Sequence, residues 1–308
     1  MYGVIDIGSN TIRLMIYQVE NGVITPVLNN KYAAGLAGYI TRKGKMSSAG
    51  IEKAVEVLTE LGQVTAQVDL QEVFAFGTAS LRNISNTEEV LEAITKACGL
   101  SVRVLTGTEE AVFDYYGAIQ STPMDSGLLV DVGGGSTELV FYREKEVFFS
   151  TSLPIGSLNL FTRFVEGILP TRTEMERITK EISEQLRTVK PPPVPLCTDT
   201  ICGVGGTART VQRLHNAMKK TKGSNRYPTD FVGEFLNQMA ETPNKLTSRI
   251  LKVAPERIHT LLPGMAVFAT VASVFSSDHI ITSPYGVREG YLYYILEERG
   301  ELGETKTP

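Results

Sequence analysis

A chain of 308 residues with 42% apolar and 21% charged residues has the makeup of a soluble globular protein, with core enough for about two domains. Its formal net charge of −4 excludes a global basic field, so nucleic acid is not an expected partner and any long polyanion must be gripped by local clusters. Cys98, Cys197 and Cys202 are odd in number and lack metal-type spacing, which excludes a disulfide scaffold and points to reduced core thiols in a cytoplasmic protein.

The N-terminus enters a strand pattern directly, without a signal peptide. Residues 2–30 read as paired strands, with Gly8-Ser9-Asn10 turning the chain after Asp6 and Asn21-Gly22 marking the next tight turn. Arg13 follows the first loop and is expected to face inward. Residues 31–45 read as a solvated loop, or as a basic lip carrying Lys31, Arg42, Lys43 and Lys45. Apolar positions 51, 54, 55, 58, 61 and 64 predict a helix over 48–68. A strand over 70–76 delivers Gly77-Thr78-Ala79-Ser80-Leu81-Arg82, where the hydroxyls of Thr78 and Ser80, loop amides and the forked guanidinium of Arg82 suit phosphate oxygens. Asn86 with Glu89 reads as a cap for the next helix. After a strand over 101–105, Thr106 and Glu109 have capping-box spacing for a helix through Ala118, which leaves Glu110 for other work. Residues 121–127 read as the linker between halves.

Leu128–Val132 is a buried-strand pattern broken only by Asp131, and Gly133-Gly134-Gly135-Ser136 follows at once. The strand pattern resumes at Leu139, so the glycines occupy a hairpin turn whose amides face an anion readily. Asp131 and Glu138 set carboxylates at its two ends, one suited to a cation and one to a water. The first hairpin aligns on this stretch without a gap: Asp6 on Asp131, Gly8 on Gly133, Thr11 on Ser136 and Arg13 on Glu138. A weaker echo sets Phe76-Gly77-Thr78-Ala79 on Gly205-Gly206-Thr207-Ala208. Two similar halves imply two α/β domains facing one another across a cleft, each giving one phosphate-binding turn.

Further on, Leu153–Ser157 reads as a turn, and Thr173 with Glu176 as the cap of a helix carrying Ile178, Ile182 and Leu186. Residues 191–195 form a stiff proline connector, and Arg209 and Arg213 share one helix face. The basic run 219–226 reads as a surface loop, and His215, His259 and His279 as scattered filler. Met265–Phe275 is the most apolar stretch, too short to cross a bilayer and expected as a buried helix.

In order along the chain, Asp6–Asn10 with Arg13-Leu14, Gly77–Arg82 with Asn86, Gly107–Ala111, Asp131–Glu138, Gly203–Thr207 and Ser283–Gly290 resemble the exopolyphosphatase/guanosine pentaphosphate phosphohydrolase family. The resemblance implies a two-domain actin-like ATPase fold, that of acetate and sugar kinases, heat-shock proteins and actin, with duplicated ribonuclease H-like halves. Domains are expected over 1–120, with a closing helix at 290–302 packed on them, and over 121–289. Inorganic polyphosphate or pppGpp becomes the expected substrate, with no membrane partner and room for a homodimer. The family's catalytic glutamate, directly before alanine, falls on Glu110; Val112 stands where the family usually has arginine. Longer family members add helical domains, so a chain ending at Pro308 is expected to hold the catalytic core alone.

Expected phosphate contacts are Gly8, Ser9, Asn10, Arg13, Thr78, Ser80, Arg82, Gly133, Gly134, Gly135, Ser136, Gly205, Gly206 and Thr207. A carboxylate ~4 Å from a phosphate charge is repelled by about 4 kcal/mol at an effective dielectric of 20, so a divalent cation, Mg²⁺ or Mn²⁺, is expected. Asp131 is its first ligand, with Glu138 and then Asp6. Glu110 and Glu138 are expected to activate a water on the end phosphorus. A kinase or ATPase on the same turns, and a sensor that binds without hydrolysis, are the competing readings.

Overall fold

A computed structural model describes residues 1–302 apart from 123, 192–197 and 222. Most of the proline connector and Cys197 therefore lie outside the described residues, as does Lys222 of the basic run. The chain divides into two compact units, Met1–Phe113 with the segment from Arg288 onward, and Asp114–Val287.

The elements run β1 Tyr2–Ile7, β2 Ile12–Glu20, β3 Val23–Tyr32, α1 Ser48–Thr65, β4 Glu72–Gly77, α2 Ala79–Arg82, α3 Thr87–Cys98, β5 Val102–Val104 and α4 Gly107–Ser121. They continue as β6 Gly127–Val132, β7 Thr137–Arg143, β8 Glu146–Leu153, α5 Ser157–Phe164, α6 Arg172–Leu186, β9 Thr200–Val204 and α7 Gly205–Lys219. The chain then forms β10 Arg226–Pro228, α8 Asp230–Glu241, α9 Pro243–Val253, α10 Leu261–Phe275, β11 His279–Thr282 and α11 Val287–Glu298.

In the first unit the described strands order as β3-β2-β1-β4-β5. Asn21 and Gly22 take φ of 51° and 77°, the pair of left-handed residues that a two-residue hairpin turn requires. β1, in the middle of the sheet, runs antiparallel to β2 and parallel to β4, so it is apolar on both faces except at Asp6. Ser47 caps α1 through Gly50 N–H, and Ala54, Val57, Leu58 and Leu61 form the stripe it buries. Those side chains pack with Ile5, Ile7, Leu14 and Ile94 in one core.

The second unit orders its described strands as β10-β11-β9-β6-β7-β8. Read from β8 inward, this repeats the first sheet: β8, β7 and β6 answer β3, β2 and β1, and β9 answers β4. α10 is buried around most of its circumference by α5, α6, α7 and α8, which explains why its sequence shows no polar face. It begins at Leu261, earlier than the apolar stretch alone suggests.

Two local expectations are corrected. The cap of α6 is Thr171, whose Oγ1 accepts from Glu174 N–H while Glu174 accepts from Thr171 N–H at 2.6 Å; Thr173 and Glu176 lie inside the helix. Both threonines have capping-box spacing, and the earlier one also lets Glu174 accept Glu166 N–H at 3.0 Å. Asn86 stands at the N-cap position of α3 without a side-chain cap bond; its amide instead accepts from Met46 N–H at 2.8 Å and donates to Met46 O at 3.1 Å.

Candidate active site

Each half presents one hairpin loop at the end of its innermost strand, and the two loops are built alike. Register sets Asp6 opposite Arg13 in the first and Asp131 opposite Glu138 in the second, as the gap-free alignment requires. Gly8 N–H donates to Thr11 O, and Gly133 N–H to Ser136 O, both at 3.0 Å. A Cβ at Gly8 would stand 3.1 Å from Thr11 O, and one at Gly133 3.2 Å from Ser136 O. Glycine keeps both turns tight.

The loop carbonyls are held from outside. Ser9 O accepts from Ala37 N–H at 2.9 Å, and Asn10 O from Gly35 N–H at 3.0 Å. In the second half Ser157 N–H donates to Gly133 O at 2.8 Å, Leu158 and Asn159 N–H to Gly134 O at 3.0 Å, and Asn159 Nδ2 to Gly135 O at 3.0 Å. A trans peptide is planar, with its N–H directed away from its C=O. Anchoring those carbonyls therefore turns the N–H groups of Asn10 and Thr11, and of Gly134, Gly135 and Ser136, to the opposite side of each loop. Such a row of amides has the arrangement that suits an anion. Residues 31–45 thus do more than solvate a surface, and Leu153–Ser157 feeds a brace. Gly156 comes so close to the triplet that a Cβ there would fall 2.3 Å from Gly134 C and O.

The second echo holds with a shift. Register pairs Asp6 with Phe76 and Asp131 with Val204, which sets Gly77 on Gly205 where sequence matching alone set it on Gly206. The identical triplets Gly77-Thr78-Ala79 and Gly206-Thr207-Ala208 drew the sequence match one position away from the strand register. Ser80 Oγ donates to Ile7 O at 3.0 Å and Thr207 Oγ1 to Val132 O at 3.4 Å, so each hydroxyl secures the end of a central strand. Thr78 N–H reaches Ile7 O at 3.3 Å. Gly205 takes a φ of +82°, and a Cβ on it would meet Asp131 Oδ1 at 2.1 Å, so the carboxylate rests on this glycine. A Cβ on Gly206 would overlap the guanidinium of Arg257, at 1.7 Å from Nη2. Arg257 was not found by the sequence: two glycines at a helix start signal a close approach, but not which residue approaches.

Charge separates the two halves. Asp6 Oδ2 accepts from Arg288 Nη1 at 3.0 Å; burial raises the Asp6 carboxyl above its ordinary range, against the pull of Arg288 and then Arg13. Beside it Tyr17 donates to Glu289 Oε1 at 2.5 Å. Asp6 already stands among cations, so the charge excess a metal would relieve is absent there. The equivalent pair in the second half is two carboxylates, Asp131 and Glu138, side by side at one register, with Glu138 only 1% exposed. Among the described residues no group of three or more His, Cys, Asp or Glu is placed to hold a metal. Two carboxylates at one register are donors of the type that a hard divalent cation takes.

Glu110 is engaged in the first unit. Glu109 closes the capping box with Thr106, and Glu110, one residue on, accepts from Arg82 Nη1 at 2.8 Å. The same nitrogen donates to Leu105 O at 2.9 Å. Arg82, expected on phosphate, is thus held on the glutamate. Arg209 is directed to Ser283 O and Pro284 O, and His215 is stacked against Tyr227 in the core.

Duplicated sheets of this order, each with a hairpin loop on its innermost strand, define a two-domain α/β protein of the actin-like ATPase fold. The chain belongs to the Ppx/GppA phosphatase family, whose model matches residues 15–299. The solved family member from Aquifex aeolicus is 29% identical, with a TM-score of 0.80, over 97% of this chain and 98% of its own. A Cytophaga hutchinsonii exopolyphosphatase structure is 24% identical, with a TM-score of 0.83, over 96% and 98% of the two chains. Exopolyphosphatase 1 of Mycobacterium tuberculosis is 24% identical over 97% of this chain and 89% of its own. No helix among the described residues is long and apolar enough to cross a membrane.

Proposed function

We propose that this protein is an exopolyphosphatase that removes the terminal phosphate of inorganic polyphosphate by Mg²⁺-assisted in-line attack of water. The observation that carries the reading is the Asp131–Glu138 pair at one register, beside a braced glycine cradle. Like charges directly opposite on neighbouring strands are destabilising. At ~5 Å and an effective dielectric of 20 the repulsion is about 3 kcal/mol, and a divalent cation offsets it. Asp131 and Glu138 are the residues that would hold that ion, which supplies charge neutralisation for the phosphoryl oxygens when bound.

The amides of Gly134, Gly135 and Ser136 bind the end phosphoryl group, with those of Asn10 and Thr11 as the first half's counterpart. Arg257, packed on Gly206, adds a guanidinium fork for phosphate oxygens. Glu138 aligns a water and takes up its proton as it attacks, and Glu110, oriented by Arg82, is the first unit's candidate for the same role. A net charge of −4 favours short chains over long ones. A cytoplasmic setting and a homodimer go with this reading.

Phosphate release from triphosphate, long polyphosphate and pppGpp, with Mg²⁺ and with EDTA, tests it. Release from polyphosphate that stops in EDTA is the expected result. Preferential release from pppGpp would move the assignment to the pentaphosphate. A requirement for an acceptor would indicate a kinase, and binding without release a sensor.

A further inference from the structure

The row that contains the two carboxylates has a third member. Register sets Asp131 of β6 opposite Glu138 of β7, and Glu138 opposite Ser152 of β8, so the three side chains share one face of the sheet. Ser152 Oγ donates to Glu138 Oε1 at 2.8 Å. On β8 the neighbouring Leu153 turns into the core, which leaves Ser152 on the carboxylate face by simple alternation. A glutamate as buried as Glu138 is uncommon without partners, and its long side chain has several rotamers to choose from. One hydroxyl at a fixed position on a neighbouring strand selects among them.

We propose that Ser152 is a positioning residue for the cation site: by holding Oε1 of Glu138 it keeps that carboxylate beside Asp131, so that both face one divalent ion. The inference rests on the reading that Asp131 and Glu138 bind the metal. Ser152 itself touches neither ion nor phosphate in this scheme. Outer-shell partners of metal ligands commonly change affinity by about 10–100-fold when removed.

The test is a titration of the full-length protein with Mn²⁺, followed by the electron paramagnetic resonance of the free ion, with circular dichroism to check folding. Ser152→Ala should weaken Mn²⁺ binding about 10-fold, and Ser152→Thr, which keeps the hydroxyl and suits a strand, should restore it. A merely structural serine would lower thermal stability without moving the Mn²⁺ affinity. Unchanged affinity in folded Ser152→Ala overturns the inference, as does failure of folded Ser152→Thr to restore binding. The metal reading has its own control in Glu138→Gln: if that variant binds Mn²⁺ as tightly as the unaltered protein, the cation site falls and the role of Ser152 falls with it.

Discussion

Arg82 Nη1 lies 2.8 Å from Glu110 Oε2, and the same nitrogen is pinned by Leu105 O at 2.9 Å. The guanidinium stands at the end of α2 and the carboxylate in the first turn of α4, 28 residues apart in sequence. Glu109 occupies the capping box next door, so the two adjacent glutamates have separate duties. A base that must meet a water at one angle gains from a partner that is itself anchored.

Arg82→Gln should therefore lower kcat by about 100-fold, at the low end of what a positioned base contributes, while KM changes much less. Arg82→Lys should recover part of the loss. Steady-state kinetics on triphosphate decide it, because a phosphate ligand would show its loss mainly in KM.

Glu138→Gln should retain polyphosphate binding and lose turnover by orders of magnitude, since the amide keeps the shape and removes the charge. Binding by calorimetry and release by phosphate assay give the two readings. Turnover near that of the unaltered protein would remove Glu138 from the chemistry.

Gly156→Ala should cost about 1–3 kcal/mol and weaken substrate binding, because the added Cβ drives into the backbone of Gly134. Gly62→Ala is the counterpart: it sits inside α1 with nothing near its absent Cβ and should stabilise by about 1 kcal/mol. The chain has no tryptophan, so urea unfolding followed by circular dichroism is the measurement of choice.

Burial, and then Asp114, push the Cys202 thiol up to about 12. The folded state thus prefers the neutral thiol. Its contribution to stability is whole below the unfolded thiol's pKa of ~8.5 and drains away as pH rises towards about 12, at no more than about 1.4 kcal/mol per pH unit. Cys202→Ala should flatten the alkaline limb of a stability-versus-pH curve. An unchanged limb would place the alkaline sensitivity elsewhere.

Thr171→Ala should destabilise by about 1 kcal/mol and Thr173→Ala by less, since only the first caps α6. Thermal melts of the two variants compare them directly.

The hairpin registers were legible because a tight turn fixes them locally: Asp6 faces Arg13, and Asp131 faces Glu138, by counting outward from the glycines. What holds those turns was not legible. Gly35, Ala37 and Leu158 act through main-chain N–H groups that every non-proline residue has, and the side chains that join them, Ser157 Oγ on Gly133 O and Asn159 Nδ2 on Gly135 O, are ordinary polar groups that name no partner in the sequence. The Arg82–Glu110 pair was hidden for another reason, since both residues also suit phosphate chemistry on their own. At α6 the sequence offered two equivalent caps, and only the tertiary bond from Glu166 N–H to Glu174 distinguishes them.

The two hairpin loops are also held alike. Ser9-Asn10 in one copy stands where Gly134-Gly135 stands in the other, yet the carbonyls at both positions are tethered from outside by N–H donors. What the duplicated halves hold in common is the tethering of their loop carbonyls, by main-chain donors in the first copy and by main-chain donors with the Asn159 amide in the second. Within that shared frame the side chains differ, one copy setting arginine opposite its acid and the other a second acid. A symmetric scaffold could in this way acquire an asymmetric chemistry without redrawing its backbone.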